Sequence, residues 1–187
     1  LTPEKARFLA GIPGFGYAQI TIDGSREHHN RSRPTLAGKG TYDRILANVA
    51  ECAGILPITI RVNVDRNNAD TLEELLDALR EREIHDKVHV YLGHVWDYTA
   101  EVGGSAFLSR EEFAAVETQF KMLKFRKGMP MAARLPKPKQ GSQCVADHPN
   151  GFVVGPTGNL FKCWNEVHED AEAASGTLKE SKCGGSC

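Results

Sequence analysis

The chain has 187 residues, enough for one good core and a small appended module. Its 23 basic and 24 acidic side chains leave a formal net charge of -1, with a pI near 6.7, so nothing draws it electrostatically to nucleic acid or an anionic membrane. No apolar run is long enough to span a bilayer, and the charges in Leu1–Ala10 are unlike a signal peptide; the expectation is a cytoplasmic chain with neither a nucleic-acid nor a membrane partner.

In chain order, Tyr17 to Ile22 reads as a β-strand ending at Asp23-Gly24, followed by a polar loop, Ser25 to Gly40, dense in His and Arg. Thr41 to Ala53 reads as a helix with Tyr42, Ile45, Leu46 and Val49 on one face, and Pro57 to Val64 as a β-branched strand. Asp70 with Glu73 suggests a capping box for a helix carrying Leu72, Leu75, Leu76 and Leu79. Lys87 to Gly93 is a third strand, and Ser109 with Glu112 caps a helix that buries Phe113, Val116, Phe120 and Leu123. Phe152 to Val154 and Leu160 to Lys162, around Gly155-Pro156-Thr157-Gly158, form a β-hairpin.

Strands joined by helices of this length imply crossovers and a parallel sheet. Each strand has one apolar face: Ile20 and Ile22 oppose Gln19, Thr21 and Asp23; Ile58, Ile60, Val62 and Val64 oppose Thr59, Arg61 and Asn63; Val88, Val90 and Leu92 oppose His89 and Tyr91. A parallel strand covered on both sides should be apolar throughout. The fold class expected is therefore α/β: the C-terminal portion of a partial parallel (β/α) barrel whose polar face lines a cavity, then a small cysteine-rich hairpin module. The domain boundaries expected are residues 1–125 for the barrel portion, 126–143 for a basic, Pro-containing linker and 144–187 for the cysteine module. The basic run from Lys121 to Lys139 reads as a helix end entering that linker, or else as a strip for an acidic leader peptide or for nucleic acid.

Four of the five cysteines, Cys144, Cys163, Cys183 and Cys187, lie in the last quarter; Cys52, on a predicted helix, reads as core packing. A one-sided, odd count without a secretion signal favours metal or redox chemistry over a disulfide framework. A hairpin returns the chain to its start, so Cys144 and Cys163 can meet at one site with the Cys183-Gly-Gly-Ser-Cys187 turn. Four thiolates suit a [4Fe-4S] cluster or a tetrahedral zinc, and the absence of Cys-x2-Cys disfavours zinc.

The spacing Cys144-x13-Gly158-x4-Cys163 followed by Cys183-x3-Cys187 resembles the SPASM extension of radical AdoMet (radical SAM) enzymes of the peptide-maturase type. Thr21-Ile22-Asp23-Gly24 with His29, Arg33 and Pro34, then Gly38-Lys39-Gly40-Thr41-Tyr42, is similar to the family's fourth strand and following loop; Ile60-Arg61-Val62-Asn63-Val64-Asp65 is similar to its fifth strand. The resemblance implies [4Fe-4S] clusters and S-adenosyl-L-methionine as cofactors. Cys144, Cys163 and Cys187 would ligate a first auxiliary cluster and Cys183 would belong to a second. Thr21, Asp23, Arg61 and Asn63 would lie near AdoMet or substrate, with His28, His29, Arg31 and Arg33 as substrate contacts. Arg61 and Asp23 would alternatively form an ion pair tying adjacent strands.

The implied activity is modification of a ribosomally made peptide or protein, giving a thioether, a carbon–carbon crosslink or an epimerised residue, by hydrogen abstraction through a 5′-deoxyadenosyl radical. The implied partners are that substrate, recognised through a leader sequence, and an electron donor such as flavodoxin or ferredoxin. The chain departs from the family pattern in several places. The Cys-x3-Cys-x2-Cys of the catalytic cluster does not occur in these residues, so the expectation is a portion of a longer enzyme, inert alone. The Cys-x2-Cys before Cys183 is also missing, and Trp164 stands where sulfatase-maturing members have Asp. With Cys144, Cys163 and Cys187 as its only ligands, one iron would keep an open site for a substrate thiolate. One rival expectation is a non-catalytic zinc or redox-binding module on a degenerate barrel, and a second is an ordinary β/α-barrel enzyme using Asp23, His29 and Arg61 for acid–base work.

Overall fold

The computed structural model describes residues 1–95, 106–131, 144–164, 167 and 174–178. The chain divides into two compact units, Leu1–Ala132 and Ala133–Cys187.

The first unit is α/β. Its parallel sheet has the order β1 (Ala18–Thr21), β2 (Ile58–Val64), β3 (Val88–His94). In register, Gln19, Thr59 and His89 form one row across the strands, and Thr21, Arg61 and Tyr91 the next. Burial along β2 alternates strictly: Ile58, Ile60, Val62 and Val64 are buried, and Thr59, Arg61 and Asn63 are half-exposed. The two-faced pattern expected from alternation is thus present in β2 and recurs along most of β3, whereas in β1 Ile20 and Thr21 are both half-buried. The apolar face packs on Leu46, Val49 and Cys52 of α3 (Tyr42–Cys52) and on Leu72, Leu75, Leu76 and Leu79 of α4 (Leu72–Glu81) in one continuous core. Burial raises the Cys52 thiol pKa, in keeping with core packing.

Two helices escape the hydrophobic pattern. The first, α1 (Pro3–Ala10), is announced by Thr2 as N-cap and by a proline in its first turn. The second, α2 (Arg26–Ser32), lies where a polar loop is expected; Ser25 caps it by accepting the His28 N–H at 3.2 Å. No apolar period marks α2, because its buried side chains are His28 and His29.

The start of α4 also differs from expectation. Its N-cap is Thr71 without a side-chain cap bond, rather than Asp70 with Glu73, because Thr71 Oγ1 donates to Asn68 O at 2.9 Å and accepts the Ser25 N–H at 3.2 Å. The Ser109–Glu112 capping box of α5 (Arg110–Arg126) is present as expected. Phe120 of α5 is buried, and Phe113, Val116 and Leu123 pack partly buried against the core. Lys124 is not part of a solvated basic strip: it is 6 % exposed and donates to Val90 O at 3.0 Å, covering an edge carbonyl of β3.

In the second unit a 3-10 turn, Val145–Asp147, precedes a hairpin of β4 (Val153–Val154) and β5 (Asn159–Phe161), and β6 (Gly176–Thr177) pairs antiparallel with β5. Phe161 is its one buried hydrophobic side chain among the described residues, packed where Gly155 leaves no room for a Cβ (2.9 Å from Phe161 Cε2).

Candidate functional site

The polar side chains gather at the C-terminal ends of the parallel strands, where α/β sheets place their ligands. Beyond β1 the chain turns at Asp23-Gly24. Gly24 has φ +73°, and a Cβ there would stand 2.5 Å from Thr71 Oγ1, so both conformation and space require glycine. Asp23 is 3 % exposed and fully engaged: Oδ2 accepts from Arg33 Nε at 2.5 Å, Oδ1 accepts the Asn63 N–H at 2.9 Å, and its own N–H donates to His29 Nδ1 at 3.1 Å. The loop after β2 is held by buried Asn68, whose Nδ2 donates to Asn63 O at 2.8 Å and whose Oδ1 accepts the Asp65 N–H at 3.0 Å.

His29 is wholly buried. Since Nδ1 accepts from Asp23, the neutral ring carries its proton on Nε2, which donates to Thr41 Oγ1 at 3.1 Å; Thr41 in turn donates to Arg33 O at 2.7 Å. Burial lowers the His29 pKa, with Arg33 and His28 acting in the same direction and Asp23 opposing. His29 is thus a neutral strut behind the wall, with no surface open to the cavity. Its neighbour Asn30 accepts the Thr41 and Tyr42 N–H groups at 2.8 and 2.9 Å, joining α2 to the start of α3.

In front of this wall is a cavity of about 340 Å³, lined by Asp23, Arg33, Arg61 and Asn63, with His28, Ser32, Asp65, His94 and Val95 completing it. The expected Asp23–Arg61 ion pair is absent: Asp23 takes Arg33, and Arg61 Nε donates to Asn63 Oδ1 at 2.8 Å. Among the described residues no carboxylate pairs with Arg61. The guanidinium lies across Gly93, where a Cβ would come within 2.6 Å of Arg61 Nε. A guanidinium that faces a cavity with no carboxylate partner among the described residues is chemically suited to bind a carboxylate. Thr21 is half-buried and opposite Arg61 in register.

His28, which the resemblance offers as a substrate contact on a polar loop, is instead a buried residue of α2 that lines the cavity, and His94 carries no signal in the sequence. His94 donates from Nε2 to Leu108 O at 2.7 Å and stacks on Phe113 at 4.5 Å. No sequence period marks it, because it sits at the last position of β3 beyond the regular alternation. A second cavity, of about 260 Å³, follows the outer edge of β3 between His89, Tyr91 and Lys124. Burial lowers the pKa of Lys124, and burial followed by the charge of Lys124 lowers that of His89.

In the second unit, Cys144 is exposed before the 3-10 turn and Cys163 is half-buried just after β5. Among the described residues no group of three or more His, Cys, Asp or Glu side chains is placed to hold a metal; Cys183 and Cys187 lie outside the described residues. The donor chemistry of the unit, four thiols without a histidine cluster, suits an iron–sulfur centre.

The chain matches no protein-family model and no curated protein sequence. Solved structures do share its fold, and they are of a radical SAM/SPASM peptide-modifying enzyme. The enzyme is anSMEcpe. Its structure with bound AdoMet and Cp18Cys peptide gives a TM-score of 0.63 over 96% of this chain and 52% of that one, at 14% identity. Its structure with AdoMet gives 0.63 over 96% and 51%, also at 14% identity. The chain therefore spans about half the length of the structures it matches, and at this identity the likeness is one of fold.

Proposed function

We propose that this chain is the C-terminal part of a radical AdoMet/SPASM enzyme that modifies a peptide. The observation that carries the proposal is the fold likeness over 96% of the chain to an enzyme solved with AdoMet and a peptide bound. Two further features support it: the polar cavity at the strand ends, and the four cysteines that the sequence of the second unit carries. When bound, AdoMet and a reducing iron–sulfur cluster supply hydrogen-abstracting radical chemistry.

In this reading Arg61 binds a carboxylate, of AdoMet or of the substrate. Asn63 orients Arg61, and Gly93 leaves it room. Asp23 binds no ligand directly; it fixes Arg33 and the end of β2, while the neutral His29 supports the turn from behind. Thr21 and Asn63 present polar groups on the same face. Rigid support of this kind converts binding into orientation of the reacting atoms. Cys144, Cys163, Cys183 and Cys187 hold auxiliary iron–sulfur chemistry in the second unit, fed by a small electron donor such as flavodoxin or ferredoxin in the cytoplasm. The bond made, whether thioether, carbon–carbon or epimerised centre, follows from the peptide presented to the cavity.

Anaerobic loading of the 187-residue chain with iron and sulfide tests the cluster. The expected result is a brown protein with a broad band near ~400 nm. A colourless protein that takes up stoichiometric zinc instead would establish the rival, a non-catalytic zinc or redox module. Calorimetric titration with AdoMet tests the cavity: Arg61→Gln should weaken binding at least about tenfold, the effect of losing a charge-assisted hydrogen bond. Equal affinity in both proteins would remove Arg61 from the site.

A further inference from the structure

Three backbone carbonyls of the segment after Cys144 converge on a single ammonium group. Lys162 Nζ donates to His148 O at 3.0 Å, to Pro149 O at 3.1 Å and to Gly151 O at 3.2 Å, and stands 4.2 Å from the centre of the Phe152 ring. An ammonium has three N–H donors, and here each finds an oxygen. Carbonyl dipoles aimed at one point repel one another unless a cation lies between them, and an aromatic face favours the same charge. The arrangement is a cation cage whose cation is carried by the chain itself.

Its place in the chain gives the cage a consequence. Lys162 directly precedes Cys163, and the Asp147 N–H donates to Cys144 O at 3.1 Å, which keeps Cys144 within one tight turn of His148. The Lys162 bonds therefore tie the Cys144 segment to the end of the strand that carries Cys163. The pairing of Val153 with Phe161 acts in the same sense, and Phe161 is the one buried hydrophobic side chain among the described residues of this unit.

We infer that Lys162 is a positioning residue of the iron–sulfur centre, setting the Cys144 thiolate against the Cys163 thiolate and placing a positive charge beside them. The inference rests on the centre proposed above and adds the residue that assembles it. A nearby cation favours the more negative, reduced state of a thiolate-ligated cluster, so Lys162 also raises its reduction potential.

The test is anaerobic loading of the full 187-residue chain, alone and as Lys162→Met, Lys162→Arg and Lys162→Ala, followed by iron analysis and redox titration. Lys162→Met should bind several-fold less iron at limiting supply, and what it binds should have a lower midpoint potential. Lys162→Arg should keep both properties near those of the unsubstituted chain. Adding methylammonium or K⁺ to Lys162→Ala should restore loading by refilling the cage, which an irreversibly misfolded variant would not allow. Equal loading and an unchanged midpoint in Lys162→Met, or a loss in Lys162→Ala that no added cation repairs, would overturn the role of Lys162 while leaving the centre intact. An unsubstituted chain that takes up no iron would overturn the centre and this role together.

Discussion

The two units are stabilised in different ways. In the first, more than twenty buried hydrophobic side chains run in one cluster from Ala6 to Met129, and the polar network at the strand ends is built on top of it. In the second, the described residues offer Phe161 as a buried apolar anchor, a short hairpin and one ammonium gathering three carbonyls. A core of the first kind folds by removing apolar surface from water, with no ligand required. A segment of the second kind is below the size at which a hydrophobic core suffices, and small modules of this sort depend on disulfides, metals or similar staples. The iron–sulfur centre proposed for the second unit would be a staple of that kind.

That contrast can be broken experimentally, and the largest effect is expected in the first core. Leu76→Ala, at a fully buried position of α4, should cost about 2–5 kcal/mol in urea unfolding, since the helix and sheet close only partly over the gap. Next is metal removal. Stripping iron from the loaded chain should speed amide exchange at Val153–Phe161 by about tenfold or more, while exchange in Ile58–Val64 stays unchanged. Equal protection of the hairpin with and without iron would mean that the second unit is held by something other than its cysteines.

A smaller effect concerns the wall of the cavity. Because burial lowers the pKa of His29 below its ordinary value of 6.5, the unfolded chain takes the proton first as the pH falls. The stability contributed by neutral His29 is therefore complete above about pH 6.5 and is lost progressively below it, toward the folded pKa. Asn at position 29 keeps an acceptor for the Asp23 N–H but does not titrate, so His29→Asn should flatten the fall in stability as the pH drops below about 6.5. His89, shifted in the same direction, is present in both proteins and cancels from the difference. The smallest effect expected is that of Gly93→Ala. Its Cβ would push Arg61 off Asn63 at a cost of about 1 kcal/mol, with a larger proportional loss in AdoMet binding than in stability.

Much of the first unit was legible before any coordinates. The alternation in Ile58–Val64 survives residue by residue as buried and half-exposed positions, because side chains on a strand point to opposite faces whatever surrounds them. The leucines of α4 and the Ser109–Glu112 cap were equally readable, since both are relations between residues three or four apart. The helix α2 was not, because it has no apolar stripe and is held by histidines whose burial depends on segments elsewhere in the chain.

Local order along the chain thus follows from spacing alone: strand faces, helix faces, caps and the crowding of cysteines toward one end. The choice of partners does not. Asp23 had two arginines within plausible reach, and the fold joins it to Arg33, ten residues away, leaving Arg61 without a carboxylate among the described residues. His29 and Lys124 carry polar groups that spacing would assign to solvent or ligand, yet both are buried against specific backbone and side-chain partners. A hydrophobic period records which face meets a core. A hydrogen bond or an ion pair depends on where distant segments arrive, to within a few tenths of an ångström, and only the assembled chain sets that distance.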